Sequence, residues 1–67
     1  MKIILNNKEE SFDGEQLTIN ELLQLKKFTF KMLVIKVNKQ LVKKSDYDSA
    51  MVKEGDDVMV LHLISGG

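Results

Sequence analysis

The chain has no cysteine, and all ten of its cationic side chains are lysines. The missing thiols remove disulfides, thiolate metal sites and sulfur nucleophiles together. Without arginine, planar bidentate recognition of phosphate or guanine is unavailable. Acidic residues also number ten, so no net field favours nucleic acid or an anionic membrane. No apolar run approaches the length of a transmembrane helix. The opening Met1-Lys2-Ile3-Ile4-Leu5 meets Asn6 and Asn7 too soon for a signal peptide, so the cytosol is the expected compartment.

Sixty-seven residues make one small domain with no room for a second core. A domain of about this size buries only roughly 60% of its unfolded surface, which leaves little space for a deep pocket. Convergent catalytic groups are not visible either. The single histidine, His62, reads as a strand-end surface residue. Asp56 and Asp57 are adjacent and project oppositely, as turn residues do, and Ser65 has no base beside it. An enzyme acting alone is the weakest reading, and no metal site is expected.

The residues that are present mark out elements. Lys2–Leu5 and Glu9–Phe12 read as two strands around an Asn6-Asn7-Lys8 turn. Thr18-Ile19-Asn20-Glu21 fits a capping box, with Leu17 and Leu22 placed as a hydrophobic staple. Ile19, Leu22, Leu23 and Lys26 then follow helical spacing, which predicts a helix from Ile19 to about Lys26. Phe28 and Phe30 read as core packing under a loop. Met32–Val37 and Gln40–Val42 read as strands joined at Asn38-Lys39. Ser45 fits a cap for one helical turn leading to Ala50, with Met51 and Val52 covering the end of the core. A charged turn over residues 53–57 leads into a last strand from Val58. That strand is apolar on both faces, so it belongs in the centre of the sheet, parallel to the first.

The predicted class is α+β, a mixed sheet of four to five strands with one main helix packed across one face. Core positions are Ile3, Leu5, Leu22, Val58 and Val60. Along the last strand Met59, Leu61 and Leu63 share one face, and Val58, Val60 and His62 the other. If Val58 and Val60 face the helix, Met59, Leu61 and Leu63 form either a partner-binding patch or the half-exposed face common in small sheets.

The chain runs from this strand into Ile64-Ser65-Gly66-Gly67. A double-glycine terminus arises by chance in about one chain in 200. Gly66 and Gly67 lack Cβ atoms and can pass a narrow channel, carrying a carboxylate at their tip. A carboxylate is a poor electrophile until a partner adenylates it. The plain alternative is a frayed terminus or a cloning remnant.

Element order, length and this ending resemble the β-grasp fold of ubiquitin-like proteins. More narrowly they resemble the sulfur carriers of thiamine biosynthesis, the ThiS family. The resemblance rests on Met1-Lys2-Ile3-Ile4-Leu5-Asn6, Leu17-Thr18-Ile19-Asn20-Glu21-Leu22-Leu23, Val34-Ile35-Lys36-Val37-Asn38, Gly55-Asp56 with Val58-Met59-Val60, and Ile64-Ser65-Gly66-Gly67. It departs at Lys39, where family members often have glycine, and at Phe28-Thr29-Phe30, a region usually polar. The resemblance implies that Gly67 is the reacting residue, with Gly66 and Ser65 threading the tail. It implies an E1-like adenylating enzyme (ThiF-type) that uses ATP and magnesium, and a sulfur donor such as a cysteine desulfurase. A thiazole synthase (ThiG-type) would receive the sulfur, and the carrier itself would bind no cofactor and be a monomer when free. Carriers for molybdopterin, cysteine or methionine synthesis and protein modifiers share the fold and the ending. A plain β-grasp interaction module is the alternative from another class.

Overall fold

The computed structural model describes residues 1–28 and 32–62. Phe30, Leu63, Ser65, Gly66 and Gly67 lie outside the described residues, and with them the expectations placed on those positions.

β1 (Lys2–Leu5) and β2 (Lys8–Ser11) form an antiparallel hairpin. Its two-residue loop, Asn6-Asn7, has φ of 50° and 69°. Positive φ at both positions is the type I′ pattern, whose twist matches the flanking strands. Asn tolerates this left-handed region better than most side chains. Asn6 is further held by its own amide, whose Oδ1 accepts from the Val60 N–H at 2.8 Å.

β3 (Gln16–Thr18) leads directly into α1 (Ile19–Leu25). The capping box is complete: Thr18 Oγ1 accepts from the Glu21 N–H at 3.0 Å, and Glu21 Oε1 accepts from the Thr18 N–H at 2.9 Å. At the other end the Phe28 N–H reaches the Leu23 carbonyl, the Lys27 N–H reaches that of Gln24, and Lys27 has φ of 58°. This is a Schellman stop made with lysine where glycine is usual. Ile19, Leu22 and Leu23 are the buried face of the helix, whereas Leu25 points away and is exposed.

β4 (Leu33–Val37) and β5 (Gln40–Val42) form the second hairpin. Its loop is again of the type I′ pattern, with Asn38 at φ 50° and Lys39 at 71°. The chain then makes a 3₁₀ turn, Lys44–Asp46, and passes through β6 (Met51–Lys53) to β7 (Asp57–His62). The expected cap at Ser45 does not form. The flanking position is Lys43, without a side-chain cap, and Ser45 lies inside the turn, which is 3₁₀ in character. One turn is too short for a capped α-helix to repay its nucleation.

β1, β2, β4, β5 and β7 build a mixed five-stranded sheet in the order β2-β1-β7-β4-β5. β7 is central, parallel to β1 and antiparallel to β4. A separate antiparallel pair, β3 with β6, places Leu17 opposite Val52 and closes one end of the core. The core comprises Ile3, Leu5, Leu17, Ile19, Leu22, Leu23, Ile35, Val52, Val58 and Val60. All five expected core positions are among them, and Phe28 packs against the cluster. One partly buried ion pair ties the helix to the sheet edge, with Lys26 Nζ donating to both carboxylate oxygens of Glu10 at 3.1 and 3.0 Å.

Candidate functional site: the open sheet face and the end of the central strand

Strand alternation divides β7 into two unlike edges. Val58 and Val60 are buried beneath the helix, while Met59 is half-buried and Leu61 is 44% exposed on the opposite face. Register supplies the neighbours of these two. Val34 lies opposite Leu61, and Lys36 lies opposite both Met59 and, on its other side, Leu41. Ile4 adds a further apolar side chain from β1, on the same face because Leu5 beside it is buried. The result is an open strip of Met59, Leu61, Val34 and Leu41 around one cation, Lys36, with Ile4 at its edge between Glu9 and Asp57. Its outer margin is polar, with Lys2 paired to Glu9 at 3.5 Å.

Sequence reasoning found Met59 and Leu61 but missed Ile4, Val34, Lys36 and Leu41. The signal was present in β4, where Val34 and Lys36 alternate with Leu33, Ile35 and Val37. Reading it required knowing that β4 pairs with β7 and in which register. Leu63, assigned to the same face, lies outside the described residues.

The start of β7 is fixed by side-chain hydrogen bonds at the turn. Asp56 Oδ2 accepts from the Lys53 N–H at 2.9 Å, and Asp56 Oδ1 accepts from Asn38 Nδ2 at 3.1 Å. Asn38 Oδ1 in turn accepts from the Asp57 N–H at 2.9 Å. Gly55, at φ 82°, provides the left-handed step of this turn. These bonds set the register at which β7 enters between β1 and β4, so they determine which side chains reach the open face. The strand ends at His62, which is exposed and sits opposite Leu33. Among the described residues no group of His, Cys, Asp or Glu could hold a metal ion. None of their helices is long and apolar enough to cross a membrane.

A five-stranded mixed sheet with a central strand parallel to the first, one helix across one face and an open opposite face defines a β-grasp protein of the ubiquitin-like class. Within that class the chain belongs to the ThiS family, whose model matches residues 2–67. It is similar to the crystal structure of a thiamine biosynthesis protein (ThiS) from Geobacter metallireducens, with 30% identity and a TM-score of 0.89 over the whole of both chains. The solution structure of a thiamine biosynthesis protein from Geobacter metallireducens superposes with a TM-score of 0.79, at 30% identity, over all of this chain and 88% of that one. No curated protein sequence matches significantly.

Proposed function

We propose that the protein is a sulfur carrier of thiamine biosynthesis, acting in the cytosol as a co-substrate of enzymes and having no catalytic activity of its own. Family membership over residues 2–67 is the observation that carries this reading. The Gly67 carboxylate attacks the α-phosphorus of ATP on a ThiF-type enzyme with bound magnesium, and pyrophosphate leaves. The terminal sulfur of a desulfurase persulfide then attacks the acyl carbon and displaces AMP. A thiol cleaves the acyl disulfide so formed, leaving a thiocarboxylate on Gly67 for a ThiG-type thiazole synthase. Gly66 and Ser65 are the slim approach to that carbon.

The open face supports the same reading. Met59 and Leu61 belong to the strand that continues into the tail, so a partner that covers this face fixes the origin of the tail at the same time. Desolvating the strip of Ile4, Val34, Leu41, Met59 and Leu61 supplies the binding free energy that a short glycine tail lacks.

Intact-protein mass spectrometry tests the chemistry. Incubation with the activating enzyme, ATP, magnesium and a sulfur donor should exchange one oxygen for sulfur, mapped to Gly67. Deleting Gly67, or adding a residue after it, should abolish loading without changing the fold. Gly66→Val should impair it, because a β-branched side chain widens the tail and restricts its backbone. Sulfur acquired by the Gly67 deletion, or mapped to an internal side chain, would overturn the carrier reading in favour of an interaction module.

A further inference from the structure

A second apolar region adjoins the open strip at Val34 and Leu41 and runs between the C-terminal half of α1 and the outer edge of the sheet. It is a groove of about 970 Å³. Topology explains why it exists. β5 pairs only with Ile35–Val37, so Leu33 and Val34 run past its end with no strand beyond them among the described residues. The chain leaves β5 into the 3₁₀ turn at Lys44, and the Schellman stop places Phe28 on the opposite wall. Leu23, Phe28, Leu33 and Val42 supply apolar lining, with Tyr47 at one end.

The charged groups along the groove are all of one sign. Lys27, Lys43 and Lys44 line it, all three exposed, and no carboxylate does. None of the three is in an ion pair among the described residues, where Lys2 and Lys26 hold the cationic ends. On the flanking turn, Asp48 accepts from Asn20 Nδ2 at 2.5 Å, and Asp46 falls between Lys44 and Tyr47 without lining the groove. In a chain of zero net charge, three cations around an apolar trough are a local asymmetry.

From this complementarity we propose that the groove binds a short segment of a partner protein in which apolar side chains are followed by carboxylates. The apolar side chains enter between Leu23, Phe28 and Val42, and the carboxylates meet Lys43 and Lys44 on one rim or Lys27 on the other. The groove shares Val34 and Leu41 with the open strip, but its lysines and its wall of Leu23, Phe28 and Val42 lie outside that strip, so this contact extends beyond the docking inferred for sulfur transfer. It does not depend on that function.

Amide NMR titration of the isotope-labelled protein with a synthetic peptide of three leucines followed by four glutamates tests it. Saturable shifts are expected at Leu23, Phe28, Val42 and Tyr47. The variant combining Lys43→Glu with Lys44→Glu should bind on the order of tenfold more weakly, and Lys27→Glu gives an independent check at the other rim. Salt on the order of 0.5 M should weaken binding as well, since rim charges are screened. An equal response to a peptide with lysines in place of glutamates would overturn the proposal, as would shifts confined to Met59 and Leu61. Binding by Phe30→Ala but not by the parent protein would assign the groove to the chain's own Phe30. Concentration-dependent shifts at the same amides without peptide would assign it to a second copy.

Discussion

Two lysines hold backbone conformations that lysine disfavours. Lys39 (φ 71°) occupies the second position of the β4–β5 turn, and Lys27 (φ 58°) the left-handed position after α1. An L-residue in this region costs roughly 1–2 kcal/mol because its Cβ approaches a carbonyl oxygen. Glycine avoids that contact but has more freedom to lose on folding, so the net gain from a substitution is smaller. Lys39→Gly is therefore expected to stabilise the protein by about 0.5–1 kcal/mol, read as a rise in the denaturation midpoint at unchanged m-value. Lys39 is exposed, so no packing is lost to mask the effect. The sequence marked Lys39 as a departure from its resemblance, yet the turn keeps its shape, because Asn38 fixes it from the other side. Both ends of the Asn38 amide are engaged, with Asp56 and with the Asp57 N–H. A local pattern can name the odd residue, whereas Asp56, which holds its neighbour Asn38, lies eighteen positions beyond Asn38.

At the scale of elements, legibility followed locality. The capping box, the start of α1 and both hairpins were readable because each is written within a few consecutive residues, although Lys8, read as part of the first turn, is the first residue of β2. β3 and β6 were not. Each is three residues long and exists by pairing with the other across more than thirty positions, with Leu17 opposite Val52. No periodicity can be measured over three residues, and Met51 and Val52 looked like simple core cover. The same limit applied to Ser45, whose capping pattern occurs in a turn too short to use it. For α1 the local signal has a measurable weight. The helix has seven residues, below the length at which helices persist alone, so its cap and its packing both matter. Thr18→Ala should cost about 1 kcal/mol. In a domain of this size that lowers the melting temperature by roughly 4–8 °C. Glu10→Gln, which removes the partner of Lys26, should cost about 0.5–1 kcal/mol, since the pair is only partly buried. The two changes lie on different contacts of α1, and calorimetry of the double variant should show near-additive losses.

On the scale of the whole molecule, the sheet has one face packed beneath the helix and one left open, and β7 carries both in alternation. Which face was which could not be decided from β7 alone, since Val58, Met59, Val60 and Leu61 are all apolar. It followed from the helix, which needed a surface for Ile19, Leu22 and Leu23 and took the side of Ile3, Leu5, Ile35, Val58 and Val60. Two adjacent substitutions separate the faces. Val60 is 7% exposed, so Val60→Lys would place an ammonium in the core without a partner. That should cost at least about 3 kcal/mol, a large part of the stability of so small a domain, and give a protein largely unfolded by circular dichroism. Leu61→Lys falls on the open face opposite Val34 and should cost no more than about 1 kcal/mol, the loss of one cross-strand apolar pair. It should nevertheless weaken binding to the activating enzyme or the synthase by about tenfold or more, because the lysine must be desolvated against an apolar contact beside Lys36. The measurements are a thermal melt of each variant and a calorimetric titration of Leu61→Lys with the partner. An unfolded Leu61→Lys would place that side chain in the core. A folded variant with parental affinity would remove the open face from docking and leave the tail as the contact that partners recognise.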